Sequence, residues 1–240
     1  MRRVFIFITV AIICLVTSCA TSGKAALLEQ NDPIALVSVI SNRDVNWKGE
    51  EPTNPDAMGF VVDRRLRRDP DMTAITEADE LINQAEVIFR ETISTSPLIN
   101  LADRETVLQS HAYQDAKERN FPNRNVVKPY AHRFINFKDK DFPAALAAET
   151  GLQRSMFVEF NLTKSLYSGV SFAGSCRAEV DMTVIVLDAK GKIIYRKTIS
   201  LPGRVPVKTS SGVYSQSEFI SAVQEAITDI CYEFVDIISY

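Results

Sequence analysis

The chain has 240 residues, 46% of them hydrophobic and 24% charged, which is the balance of one folded globular domain. Its 27 basic and 30 acidic residues give a net charge of −3, and losing Arg2 and Arg3 with a cleaved leader would make it −5. An acidic balance of this kind excludes generic nucleic-acid binding, which needs a basic surface.

The first element is a leader. Arg2 and Arg3 precede the apolar run Val4–Val16, which ends in Leu15-Val16-Thr17-Ser18-Cys19. A basic start, a short apolar core and a small-residue exit make a secretory signal over residues 1–18. The apolar core is too short for a spanning helix, which takes about 20 residues. A cysteine directly after the small residues resembles the lipobox of bacterial lipoproteins. The resemblance implies cleavage just before Cys19 and acylation of that cysteine, so that the mature chain begins at the lipid. The alternative is an ordinary signal peptide with an incidental cysteine. Residues 19–32 then read as a short lipidated tether, and residues 33–240 as a single domain.

Within that domain, Ile34–Ile40 is almost continuously apolar and β-branched, the pattern of a strand buried on both faces. Residues 42–76 follow as a long irregular insertion with Pro52, Pro55 and Pro70. It holds the basic knot Arg64, Arg65, Arg67 and Arg68, flanked by Asp63, Asp69 and Asp71. The knot is either a self-neutralised exposed face or a contact for anionic headgroups or an acidic partner. Trp47, the only tryptophan, either lids the core or anchors a partner.

The spacing of Leu81, Ile82, Ala85, Ile88, Phe89 and Ile93 predicts a helix over Thr76–Ser94, with Thr76 as its cap. Leu98–Ala102 reads as a short strand, and Asp103 as the cap of a helix from Arg104 to about Lys117. Asp141–Thr150 is a helix started at Asp141 and Pro143 and stopped at Gly151. Three strands follow: Met156–Leu166, breaking at Gly169, then Arg177–Leu187, then Lys192–Leu201, the last two joined at Asp188-Ala189-Lys190-Gly191 as a hairpin. Residues 203–215 read as a loop because of Pro202 and Pro206, and Ser217–Ile238 as a final helix. The class is therefore α/β: a mixed sheet of about five strands with a C-terminal hairpin, packed by about four helices.

Four cysteines are present, and Cys14 leaves with the leader. An exported Cys176 and Cys231 either form a disulfide, closing a loop of about 56 residues for roughly 3–4 kcal/mol, or stay as buried thiols. No phosphate loop and no nucleophile elbow occur. The two histidines, His111 and His132, lack zinc-ligand spacing and read as surface residues. Asp103 with Arg104 reads as a helix cap plus a surface ion pair, and Asp139 and Asp141 as dipole-complementing residues. The sequence offers no catalytic residue, no metal ligand set and no cofactor motif.

Four strings taken in order carry a further resemblance. They are Ile34–Ile40; Leu101-Ala102-Asp103-Arg104-Glu105-Thr106-Val107-Leu108; Ala147-Ala148-Glu149-Thr150-Gly151-Leu152 leading to Phe157-Val158-Glu159; and the turn at Asp188–Lys192. Together the strings resemble the group containing the curli-secretion lipoprotein CsgG, the penicillin-binding-protein activator LpoB and the amino-terminal domain of TolB. The resemblance spans about residues 33–238. It implies an α/β sandwich working outside the inner membrane. Residues 42–76 do not alternate as the 9–11-residue strands of a membrane pore would. The expectation is a non-enzymatic binding or scaffold lipoprotein of the cell envelope, held in the cell membrane or outer membrane through Cys19 and facing the periplasm or exterior. Its expected partners are the membrane and another envelope protein, not nucleic acid, with a homo-oligomer left open. The alternatives are a subunit of an oligomeric secretion or assembly complex, an envelope hydrolase with an unrecognised site, and a small-ligand binder.

Overall fold

The structure is a computed structural model, and it describes residues 32–43, 45–48, 78–119, 126–170, 173–210 and 213–239. Cys19, the tether up to residue 31, Thr76 and the four arginines Arg64, Arg65, Arg67 and Arg68 lie outside the described residues.

Among the described residues a mixed sheet of seven strands forms the middle layer. Its strands are β1 (Ile34–Asn42), β2 (Asn46–Trp47), β3 (Val126–Val127), β4 (Arg154–Val170), β5 (Ala173–Asp188), β6 (Ile193–Ser210) and β7 (Val213–Tyr214). The order is β3-β1-β4-β5-β6-β7, with β2 beside β4. β1 and β2 run parallel to β4, and the other pairs are antiparallel. Among the described residues five helices cover it: α1 (Ala78–Ser94), α2 (Arg104–Leu108), α3 (His111–Gln114), α4 (Asp141–Thr150) and α5 (Gln216–Ser239).

The strand periodicity divides the core in two. On one face Met156, Val158, Phe160, Ala178, Val180, Met182 and Val184 meet the stripes of α1 and α5. On the other face Ala35, Val37, Phe157, Ile185 and Leu187 meet Val107 and Leu108 of α2, Tyr113 of α3, and Phe142 and Leu146 of α4. β1 serves both faces, which is why it has no polar alternation. A register shift between Leu36 and Ser38 lets Leu36 and Val39 share the α1/α5 face despite their odd spacing. β1 lies second from the edge, with only the two-residue β3 outside it. The α5 stripe (Phe219, Val223, Ile227, Ile230, Phe234, Ile238) is fully buried, each side chain adding about 1.5–3 kcal/mol relative to exposure.

Several local expectations change. Leu98–Ala102 is not a strand: Leu101 makes one parallel bridge to Ile34, and the Ala102 amide donates to the Ile34 carbonyl at 2.9 Å. The helix expected over Arg104–Lys117 is two short ones. Asp103 does cap the first, accepting from the Thr106 amide at 3.0 Å, but Ser110 restarts the chain by accepting from the Tyr113 amide at 3.2 Å. A serine side chain that competes for a backbone amide favours a new cap over helix continuation. α4 ends at Gly151 as expected, with φ 78° in the left-handed region that glycine enters without strain.

The three C-terminal strands are much longer than expected. β4 runs through Gly169 to Val170, and β6 continues through Pro202 and Pro206 to Ser210, where a loop was expected. β6 is an outer strand along most of its length, and proline is tolerated on an edge. At the far end Gly174 faces Gly169, and a β-carbon on Gly174 would stand 2.1 Å from the Ser168 carbonyl oxygen. Only glycine lets the two backbones come this close.

Cys176 and Cys231 are free, buried thiols in the same core cluster, so the disulfide alternative is not formed. Burial pushes the Cys231 thiol up to about 12 and raises Cys176 as well, leaving both protonated and unreactive at neutral pH.

Candidate functional site

The most unusual chemistry sits where α1, α2 and the segment after β3 meet. Glu86 falls inside the apolar stripe of α1, four residues after Ile82 and three before Phe89, so the helix turns its carboxylate toward the protein interior. Only 4% of Glu86 is exposed. Its Oε1 accepts from His132 Nε2 at 2.9 Å, Arg104 Nε at 3.0 Å and Arg90 Nε at 3.1 Å. Burial alone would raise its pKa, but the hydrogen bonds and charge of His132, Arg104 and Arg90 outweigh that and hold it down to about 2. Glu86 is therefore ionised throughout the physiological range.

The knot fixes the turn at Pro129–His132. The His132 amide donates to the Pro129 carbonyl at 3.1 Å, and Ala131 has φ 67°. A non-glycine residue in that region costs roughly 1–2 kcal/mol. The surroundings over-determine the turn. Asn83 Oδ1 accepts from the Tyr130 amide at 2.6 Å, and Arg104 Nη2 donates to the Tyr130 carbonyl at 2.7 Å. The next amide, Arg133 N, donates to Tyr113 Oη at 2.8 Å, and burial pushes that phenol up to about 12. The Lys128 ammonium donates to the His132 carbonyl and lies over the Phe134 ring at 5.5 Å.

The backbone of Tyr130 is thus held at both polar groups, while the residue itself is 84% exposed. It stands on the rim of a cleft of about 810 Å³, open to solvent, between the end of β1, the start of α1 and β3. Arg43 and Asp79, which pair at 3.6 Å, line it together with Arg119, Lys128 and Phe134. The cleft joins mixed charge to apolar ring surface. It lies at the C-terminal end of β1, the usual place for ligand clefts in sheets with parallel strands.

The sequence-derived candidates are scattered rather than gathered here. Trp47 is in β2, partly buried against the larger core, with the Lys164 ammonium 5.2 Å from its ring centre and 4.9 Å from that of Tyr214. Its ring thus packs against one end of the core while remaining partly exposed. Lys48 next to it pairs with Glu179 at 2.8 Å, which raises the Lys48 pKa. His111 is on the surface as expected, with Nδ1 3.1 Å from Glu149. His132 is not: it is 1% exposed and bound to Glu86. Arg104 likewise pairs with a buried carboxylate as well as the surface Glu105. Glu86 and Tyr130 were not singled out from sequence. For Glu86 a signal existed, a carboxylate on the apolar stripe of α1; for Tyr130 none did. No group of histidine, cysteine and carboxylate side chains suited to a metal ion occurs among the described residues. No helix there is long and apolar enough to cross a membrane. Compared with known proteins, the chain matches no family model and no curated sequence significantly.

Proposed function

We propose that the chain is a membrane-anchored extracytoplasmic lipoprotein, lipidated at Cys19, whose α/β domain acts without catalysis by binding another protein of the cell envelope at the Tyr130 cleft. The anchor rests on the leader and lipobox-like residues 2–19. The binding role rests chiefly on one observation: a tyrosine 84% exposed on a backbone held by side chains from two helices. Tyrosine is enriched among residues that carry interface affinity, and a contact organised before binding avoids an ordering cost. The surrounding wall of paired charges and ring surface suits an extended protein segment with both apolar and charged side chains. A resemblance to envelope lipoproteins of the CsgG, LpoB and TolB group accords with this reading. The Arg64–Arg68 knot would add contacts for an acidic partner or anionic headgroups.

Replacing Tyr130 with a photocrosslinking phenylalanine analogue in intact cells tests the site. A discrete protein adduct is expected from position 130 and not from Tyr232, which is half-exposed on α5. Tyr130→Ala should weaken binding of the captured partner about 30-fold, the effect of losing one strong interface anchor. Equal adducts from both positions, or unchanged affinity in Tyr130→Ala, would refute the cleft as the binding site.

A further inference from the structure

One corner of this acidic domain is basic. The turn after β5, Asp188-Ala189-Lys190-Gly191-Lys192, packs against the start of α4: a β-carbon on Gly191 would stand 2.9 Å from the Lys140 Cα. That contact gathers Lys138, Lys140, Lys190 and Lys192, with Arg196 a few residues up β6 on the α4 side. All five are exposed, and among the described residues none belongs to an ion pair. The neighbouring carboxylates are held against the backbone. Asp188 Oδ1 accepts from the Lys190 and Lys192 amides, each at 2.9 Å, and Asp139 Oδ1 from the Asp141 amide at 3.1 Å. Five cations against Asp139, Asp141 and Asp188 leave the corner at +2 in a chain whose net charge is −3. From there α4 crosses the end of the sheet to Gly151, just before β4 starts beside Ile34. Its exposed Ala144, Ala145 and Ala148 are small and uncharged, and the Glu149 carboxylate is taken up by the His111 and Ala112 amides at 2.8 and 2.7 Å. Ile193, next to Lys192, is 44% exposed.

This is also the end where the chain enters the domain. Arg154 donates to the Asp32 carbonyl, and Ile34 pairs with Arg154. The described residues that flank the other internal segments lie elsewhere. Residues 49–77 follow Lys48, whose amide donates to the Lys164 carbonyl, and precede Ala78, whose neighbour Asp79 pairs with Arg43 after β1. Residues 120–125 precede Val126, which pairs with Asn42 at the other end of β1. Residues 171–172 and 211–212 follow Val170 and Ser210, at the far ends of β4 and β6.

Given the Cys19 anchor proposed above, we infer that this corner, formed by Lys138, Lys140, Lys190, Lys192, Ile193 and the alanine face of α4, rests on an anionic membrane surface. Residues 19–32 span at most about 50 Å, so the anchor keeps the domain near lipid without fixing which side meets it. Charge selects the side. Each lysine brought to an anionic surface strengthens the contact about fivefold, and Ile193 adds an apolar group at headgroup depth. The other layer at the same end is acidic. Phe234 of α5 meets Tyr195 near the start of β6, so the exposed Glu233 and Asp236 lie at this end with the negative end of the α5 dipole. Repulsion turns that layer away from the lipid, and the domain leans on its α4 side. β1 is nine residues long, about 30 Å. The Tyr130 cleft at its far end then faces away from the membrane, open to a partner.

Quenching of tryptophan by nitroxide-labelled headgroups tests this on the mature protein with excess vesicles of phosphatidylcholine holding about a third phosphatidylglycerol. Trp47 is a built-in reference: it pairs with Lys164, about 33 Å up β4 from Arg154. Its emission in the wild type should not change. Ile193→Trp should add emission that these vesicles quench by at least about half and that vesicles of phosphatidylcholine alone leave unchanged. Lys190→Gln with Lys192→Gln should weaken the contact about thirtyfold and remove the quenching, as should about 0.5 M salt. Lys208→Gln, at the far end of β6, should not. Circular dichroism should show unchanged thermal unfolding in these variants, since the substituted residues are exposed. Flotation with phosphatidylcholine vesicles reads the anchor separately. A chain that fails to float there yet is quenched by the anionic vesicles keeps the corner and loses the anchor. A chain that floats but is not quenched keeps the anchor and leaves the corner to a protein partner. That second result, equal quenching in both kinds of vesicle, quenching of Trp47 instead, or quenching that survives the lysine substitutions would overturn the inference.

Discussion

Glu86→Gln should lower the stability of the domain by about 3 kcal/mol at pH 7. The carboxylate is held from its ordinary 4.5 down to about 2, a difference in proton affinity worth roughly 3 kcal/mol. The sign follows from the depression. Stabilisation by an ionised Glu86 is fully present above its unfolded value near 4.5 and is lost as pH falls through about 2. The gap between wild type and Glu86→Gln should therefore be constant from pH 5 to 7 and shrink to roughly half or less at pH 3. Urea unfolding at the three pH values measures this. The physical reason is that the Arg90 and Arg104 guanidinium groups converge on Oε1 beside His132, and a neutral amide leaves the two guanidinium charges close together without a counter-charge. The variant should also loosen the Tyr130 turn, since Arg104 holds both Glu86 and the Tyr130 carbonyl. Faster amide exchange at Tyr130 and Arg133 would register that coupling.

Phe234→Ala should cost about 3–5 kcal/mol, the range for deleting a buried aromatic side chain where neighbours cannot collapse. Phe234 is fully buried where α5, α1 and β6 meet. Its ring lies 6.3 Å from Phe89 in a stacked arrangement and 6.2 Å from Tyr195 edge-on. Removing it takes away both aromatic pairs and leaves a void between three elements that the β-sheet holds apart. The urea midpoint should fall with little change in slope. Tyr232→Ala, two positions away on the exposed side of the same helix, should move stability by no more than about 0.5 kcal/mol.

Periodicity carried most of the fold. The α1 and α5 stripes, the two-sided burial of β1, the Asp103 cap and the Gly151 stop are local, and local chemistry decides them. What failed depended on neighbours. Pro202 and Pro206 read as loop because their tolerance requires knowing that β6 lies on an edge. Gly169 read as a break because its partner Gly174, across the hairpin, is what makes the tight approach workable. Leu101 read as a strand residue, although its single bridge to Ile34 depends on how β1 sits in the sheet.

The candidate site was less legible for the same reason. Glu86 and His132 are 46 positions apart, and nothing local marks His132 as buried. The carboxylate on an apolar helix face was the one readable sign of the knot. Trp47, conspicuous as the only tryptophan, proved to pack against the core end beside Lys164 and Tyr214. Arg64, Arg65, Arg67 and Arg68 lie outside the described residues.

The proposal that joins these observations is an acylated Cys19 holding a binding domain at a membrane. Intact-mass analysis of the mature protein purified from membranes tests it most directly. The account predicts a chain that begins at Cys19 and carries the added mass of acyl chains, with Cys19→Ser moving the protein to the soluble fraction. A mature chain beginning elsewhere, or an unmodified Cys19, would contradict it.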